Sequence, residues 1–177
     1  MDSRPAANSP TRQAFVTVGT TRFDELVRVV TSSQCLAQLR SRHFQKLVIQ
    51  YGNSERACLL DGAEERAAAA GLELLCFPFK DSILAEIQRS QLVIGHAGAG
   101  TCVEVLERGV PFVAVVNERL HDNHQLELAS ELARLHHLFV CRCDTLVETL
   151  LKADFNSLTP YEAGDPGQFA VWLEEFL

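Results

Sequence analysis

The sequence predicts a doubly wound α/β domain with a mostly parallel sheet. Two observations carry the prediction: short apolar runs without strict polar alternation, as strands covered on both faces should read, and helical stripes between them. The runs are residues 15–18 (FVTV), 47–49 (LVI), 72–77 (LELLCF), 92–94 (LVI), 112–116 (FVAVV) and 138–140 (LFV), all too short for helices. They predict six strands.

Between the runs, Phe23, Leu26, Val27 and Val30 fall at i, i+3, i+4 and i+7, the stripe of a helix with one buried face. Ile83, Leu84 and Ile87 repeat it, and so do Leu126, Ala129, Leu132 and Ala133. A further helix should run from the glycines near position 98 to about Arg108, where Gly109 and Pro111 stop it. Residues 67–70 (AAAA) read as helix, although 53–71 is the least legible stretch. Strand and helix alternating in this way imply right-handed crossovers onto a parallel sheet.

Composition bounds the function. With 177 residues, 47% hydrophobic and 22% charged, the chain has the makeup of one compact domain. Two domains with a cleft between them usually need about twice that length. Sixteen Lys and Arg against 23 Asp and Glu give a net charge of −7 with scattered cations, which argues against a nucleic-acid partner. The six cysteines, at 35, 58, 76, 102, 141 and 143, follow no zinc spacing and read as reduced structural thiols. Cys141 and Cys143 would share one face of a strand, a pair able to hold a metal but more often only packing. Residues 1–13 read as a disordered leader rather than a signal peptide, and no apolar run reaches the ~18 residues of a membrane span.

In a doubly wound sheet, chemistry belongs at the carboxyl ends of the strands. After the first strand, Gly19, Thr20 and Thr21 offer close backbone approach and two hydroxyls, suited to phosphate oxygens; a plain turn with a Thr N-cap is the other reading. After the fourth, residues 95–101 (GHAGAGT) put three glycines at a strand-to-helix junction, a concave backbone facing a positive helix end. No Lys follows Gly100, so this is not a P-loop, and the glycine order is not that of dinucleotide folds. A nucleotide diphosphate is preferred. Glu104 reads either as the acid of a capping box with Thr101 or as a carboxylate for the two hydroxyls of a ribose. After the fifth strand, residues 117–125 (NERLHDNHQ) are dense in hydrogen-bonding groups that suit sugar hydroxyls. Asp122 with Gln125 also fits a capping box, and His121 with His124 a metal pair without an obvious third ligand.

Residues 15–24 (FVTVGTTRFD), 95–104 (GHAGAGTCVE) and 116–129 (VNERLHDNHQLELA), in this order and spacing, closely resemble the catalytic subunit of the eukaryotic UDP-N-acetylglucosamine transferase of asparagine-linked glycosylation. The resemblance runs from about Ala14 to Leu177 and matches weakly over 53–71. That family is similar in turn to the donor-binding, carboxyl-terminal half of the bacterial family 28 glycosyltransferases, which have the two-domain GT-B fold. The resemblance therefore implies a Rossmann-like UDP-sugar-binding domain over residues 14–177. It also implies inverting transfer of N-acetylglucosamine from UDP-N-acetylglucosamine to dolichyl-diphosphate-N-acetylglucosamine, the second step of lipid-linked oligosaccharide assembly. A separate membrane-anchored subunit would bind the acceptor and recruit this chain from the cytoplasm to the cytosolic face of the endoplasmic reticulum.

Carried over by position, Gly19, Thr20, Thr21 and the backbone of Gly98, Ala99, Gly100 and Thr101 would hold the diphosphate, and Glu104 the ribose. Backbone groups at Phe79, Lys80 and Asp81 would meet the uracil edge. Asp122, Asn123 and Gln125 would bind the sugar, the last two positioning it for reaction, while His96 would donate to the phosphates. No cofactor or metal is implied, and the base that deprotonates the acceptor would come from the partner or the shared interface. At Gly95 the family also accepts small polar residues. In the tail, Phe169, Trp172, Leu173 and Phe176 stripe a short helix over 168–176, which either packs on its own sheet or docks the membrane subunit. Two rivals stand beside this reading: a UDP-sugar-binding regulatory module without catalysis, and a nucleotide-cofactor oxidoreductase, disfavoured by the glycine order.

Overall fold

The computed structural model describes residues 11–54, 60–117 and 123–162, with the backbone alone at 123–126. Six strands form one sheet in the order β3-β2-β1-β4-β5-β6, and every pairing is parallel. They are β1 Gln13–Thr17, β2 Lys46–Gln50, β3 Glu73–Phe77, β4 Leu92–His96, β5 Phe112–Val116 and β6 Phe139–Arg142. Each falls on one of the six apolar runs. The central strands β1 and β4 are buried throughout, as the missing alternation requires. Both edges carry charge: Glu73 on β3 pairs with its register partner Lys46 at 3.0 Å, and Arg142 on β6 is exposed, which blunts edge-to-edge pairing.

The helices lie on two faces. On one, α1 (Asp24–Val30) buries Leu26, Val27 and Val30, α2 (Ser33–Ser41) buries Cys35, Leu36 and Leu39, and α3 (Ala63–Ala69) adds Ala67. On the other, α4 (Leu84–Arg89) buries Ile87, α5 (Ala99–Leu106) buries Cys102, Val105 and Leu106, and α6 (Asn123–Arg134) buries Ala129 and Leu132. The last helix, α7 (Leu146–Lys152), returns to the first face through Leu146 and Leu150. The chain thus winds outward from β1 in both directions, and the connections after β1 and β4, which are neighbours in the sheet, leave toward opposite faces. That divergence opens a crevice at the carboxyl ends of β1 and β4.

Two helices escaped the sequence reading. The α2 start was signalled by Ser32, whose Oγ accepts the Cys35 amide at 3.3 Å, and α7 by the Leu146 and Leu150 spacing. The helix expected to reach Arg108 ends at Leu106, with Gly109 beyond it at φ +64°. Gly95 is more constrained than a tolerance for small polar residues suggests. A Cβ there would lie 3.1 Å from both the Cγ2 and the carbonyl oxygen of Thr17 and 3.3 Å from Cε2 of Phe112. Gly95→Ser is therefore expected to cost about 1–3 kcal/mol through overpacking between β1 and β5, read by urea denaturation. An unchanged midpoint contradicts the tight fit.

Cys35, Cys102 and Cys141 stand as free thiols, and among the described residues no cluster of three potential metal ligands occurs. Cys141 and Cys143 sit in the same apolar core. Burial pushes the Cys35 and Cys102 thiols up to about 12 and Cys141 to about 11, so all three stay protonated at neutral pH. Alkylation at pH 8 is expected to leave these three unlabelled until denaturant is added. Prompt labelling at any of them, located by peptide mass mapping, contradicts the buried assignment. Among the described residues no helix is long and apolar enough to cross a membrane.

Candidate active site

The loop after β1 closes on itself. The Gly19 amide donates to Thr17 Oγ1 at 3.1 Å, and Thr21 Oγ1 donates to the Val18 carbonyl at 2.8 Å. Helix α1 has Phe23 as its N-cap with no side-chain bond, so the alternative of a Thr N-cap does not hold. Thr21 is spent on shaping the loop, while Thr20 is exposed and Gly19, at φ +62°, has nothing within 4 Å of where a Cβ would stand. The chain turns left-handed there, which favours glycine, and leaves open space above the backbone.

This loop rests on a residue the sequence reading did not single out. Gly52, also left-handed at φ +60°, packs so closely that a Cβ would come within 2.8 Å of the Thr21 carbonyl oxygen and of Val18 Cγ2. Asn53 Nδ2 donates to the Thr20 carbonyl at 3.3 Å, and beneath them Thr17 Oγ1 donates to Gln50 Oε1 at 2.5 Å. The signal was the Gly52-Asn53 turn dipeptide, hidden at the start of the least legible stretch.

Across the crevice, β4 ends at His96 and Gly98 is the N-cap of α5, with extended backbone at φ −74°, ψ 137° and no side-chain bond. Ala99, Gly100 and Thr101 form the first turn, so Thr101 lies inside the helix. The capping-box reading of Thr101 with Glu104 is thereby overturned. The first amides of α5 face the crevice unbonded within the helix, at the end of the helix that favours anions. A Cβ on Gly100 would meet nothing within 4 Å. Glu104 stands one turn further along the same stripe, half-buried, and its carboxylate makes no hydrogen bond among the described residues. The apolar residues Cys102, Val105 and Leu106 hold the opposite side of α5 to the core.

His96 is buried, edge-on to Phe23 with centroids 5.9 Å apart, and its Nδ1 would lie 3.4 Å from a Cβ on Gly98. It is therefore wedged between the two loops. The third loop follows β3: Phe79 is an exposed aromatic at 43%, and no backbone group of Phe79 or Lys80 is hydrogen-bonded among the described residues. Lys80 is fixed by an ion pair to Glu86 and lies 4.2 Å above the Phe77 ring, which fixes the loop. From β5, the buried Asn117 reaches the rim beside Arg22, Phe23, Asp24 and Glu25, around a cavity of about 160 Å³.

The structure thus places Gly19, Thr20, Thr21, Phe79, Lys80, His96, Gly98, Ala99, Gly100, Thr101 and Glu104 on the side of the sheet where the strands have their carboxyl ends, at and after the ends of β1, β3 and β4. Asn123 and Gln125 lie in the first turn of α6, which starts from the same side, but their side chains are outside the description. Asp122, His121 and the striped tail over 168–176 lie outside the described residues.

Comparison with known proteins agrees with this architecture. The glycosyltransferase family 28 C-terminal domain matches residues 13–171. The human UDP-N-acetylglucosamine transferase subunit ALG13 is 42% identical over 132 residues, covering 75% of this chain and 11% of the human protein. The chain therefore spans only about a tenth of that relative. The Saccharomyces cerevisiae subunit of the same name is 30% identical over 189 residues, covering 91% of this chain and 94% of its own. Among solved structures, the NMR structure of ALG13 superposes with a TM-score of 0.71 at 25% identity, covering 92% of this chain and 94% of that one. MurG of Acinetobacter baumannii gives a TM-score of 0.67 at 21% identity, with 97% of this chain lying on 51% of that one, and shares the fold. The chain belongs to the glycosyltransferase family 28 C-terminal domain family and, within it, to the ALG13 subunits of UDP-N-acetylglucosamine transferases.

Proposed function

We propose that this chain is the donor-binding, catalytic part of a two-chain N-acetylglucosaminyltransferase, which moves N-acetylglucosamine from UDP-N-acetylglucosamine to dolichyl-diphosphate-N-acetylglucosamine. One observation carries it: the divergence of the chain after β1 and β4 leaves Gly19 and Gly100 with open faces across one crevice, beside a Glu104 carboxylate that no cap consumes. That is the shape and polarity a nucleoside diphosphate requires. The diphosphate would lie on the amides of the Gly19 loop and the first turn of α5, with His96 donating from beneath. The ribose hydroxyls would donate to Glu104, and the uracil edge would bond the backbone groups at Phe79 and Lys80. Asp122, Asn123 and Gln125 would hold the sugar.

Inversion follows from an in-line displacement. The acceptor hydroxyl oxygen forms a bond to C1 of the sugar on the face opposite UDP, and the C1–O bond to the β-phosphate breaks with its electron pair leaving on UDP. The protein's contribution is positioning together with preorganised amides that stabilise the departing charge. The hydroxyl proton goes to a base from the partner subunit or the shared interface. A parallel sheet of six strands supplies one wall of a cleft, so a membrane-anchored partner would supply the other, bring the lipid acceptor, and hold this chain at the cytosolic face of the endoplasmic reticulum. The test is transfer of labelled N-acetylglucosamine from the UDP-sugar to a lipid diphosphate acceptor, with and without the partner. Product from the pair and none from either chain alone is expected. No product from the pair, or equal product without the partner, overturns the reading.

A further inference from the structure

We propose that Arg22 is a diphosphate-binding residue of this crevice, with Asp24 as the brace that aims it. The proposal rests on the donor-site reading above and adds to it a side chain that the glycine loops alone do not supply. Arg22 follows Gly19, Thr20 and Thr21 directly on the loop after β1. Its Nε donates to Asp24 Oδ2 at 2.8 Å and its Nη2 lies 2.7 Å from the same oxygen, so Asp24 engages one edge of the guanidinium, the one formed by Nε and Nη2.

The two partners are buried very unequally. The Asp24 side chain is 12% exposed and the Arg22 side chain 61%. The carboxylate is therefore the anchored member, and the guanidinium is the one presented to solvent. Arg22 holds the Asp24 carboxyl below the usual carboxylate range, so the brace stays ionised at neutral pH. The inner oxygen, Asp24 Oδ1, is buried, and the buried Ser54 hydroxyl adds to Arg22 in favouring the ionised carboxylate. An exposed ion pair of this kind contributes little to stability.

Chemistry and place then point to phosphate. A guanidinium is a planar donor fork matched to two phosphate oxygens at once. Arg22 lines the cavity of about 160 Å³ together with Phe23, Asp24, Glu25 and Asn117, where the loop after β1 meets the end of β5. On the loops that follow β1, β3 and β4, the described cations are Arg22, which pairs with Asp24, and Lys80, which pairs with Glu86 and lies over the Phe77 ring. A chain of net charge −7 that receives a diphosphate gains most from a cation at this point.

Two diphosphates meet at such a site, that of UDP and that of the lipid acceptor, and one experiment separates them. Arg22→Gln and Arg22→Lys are compared with the parent chain, each assembled with the partner subunit, for binding of UDP, binding of uridine, and KM for the lipid diphosphate acceptor. A loss of about tenfold in UDP affinity with uridine unchanged, partly recovered in Arg22→Lys, assigns Arg22 to the donor diphosphate. Unchanged UDP affinity with an acceptor KM raised about tenfold assigns it to the lipid diphosphate. Equal losses for UDP and uridine, or no change in any of the three, overturn the proposal. If the parent assembly itself binds no UDP, the donor-site reading fails instead. Arg22→Lys keeps the charge at an exposed position and carries the test should Arg22→Gln fold poorly.

Discussion

Gly100→Ala is expected to leave a folded, slightly more stable chain that has lost most of its affinity for UDP. The two effects have separate causes. Gly100 lies in the first turn of α5 with ordinary helical backbone, so alanine there removes unfolded-state freedom and should gain about 0.5–1 kcal/mol. The added methyl meets no protein atom within 4 Å, so it does not strain the fold. It projects into the space where the diphosphate would approach the backbone, and a misfit of one methyl at a close contact costs about 1–3 kcal/mol, roughly 5- to 150-fold in affinity. Paired thermal melts and UDP titrations check both halves. A stabilised variant that binds UDP as tightly as the parent contradicts the placement of the diphosphate.

Glu104→Ala should weaken UDP binding by about 1–3 kcal/mol, again roughly 5- to 150-fold, because two ribose hydroxyls would be buried without their acceptor. The fold should hardly change. Glu104 makes no cap, since Gly98 begins α5, and its side chain has no hydrogen bond among the described residues to lose. Comparison of UDP with 2′,3′-dideoxy-UDP sharpens the result. The parent chain should prefer the nucleotide that keeps its hydroxyls, and Glu104→Ala should lose that preference. Undiminished discrimination in a folded variant removes Glu104 from the ribose.

The sheet was readable because a parallel strand covered on both faces leaves a continuous apolar run, and each of the six runs became a strand. The glycines at 95, 98 and 100 read as a candidate site because three of them at a strand-to-helix junction have little packing purpose in common. They turned out to have different ones: Gly95 is closed in by Thr17 and Phe112, Gly98 caps the helix beside His96, and Gly100 faces open space. Spacing alone could not choose between a cap and a ligand for Glu104, since both put an acid three residues after a hydroxyl. The start of α5 removes the cap by placing Thr101 within the helix, which leaves the ribose role as a proposal. Gly52 was missed because its role depends on contact with a loop more than thirty residues earlier in the chain, which no local pattern encodes. The pairing of Arg22 with Asp24 has the same character: the sequence shows a cation two residues before an acid, and only burial shows which of them is anchored.

The central claim, that the carboxyl ends of the strands receive the nucleotide sugar, is tested most directly by titrating UDP-N-acetylglucosamine into the isotope-labelled full chain and mapping amide chemical-shift changes. The largest changes are expected at Gly19, Thr20, Phe79, Lys80, Gly98, Ala99, Gly100 and Thr101, all at the carboxyl ends of β1, β3 and β4. Changes gathered instead at the opposite ends of the strands, around His43, Gly71 and His137, would contradict it.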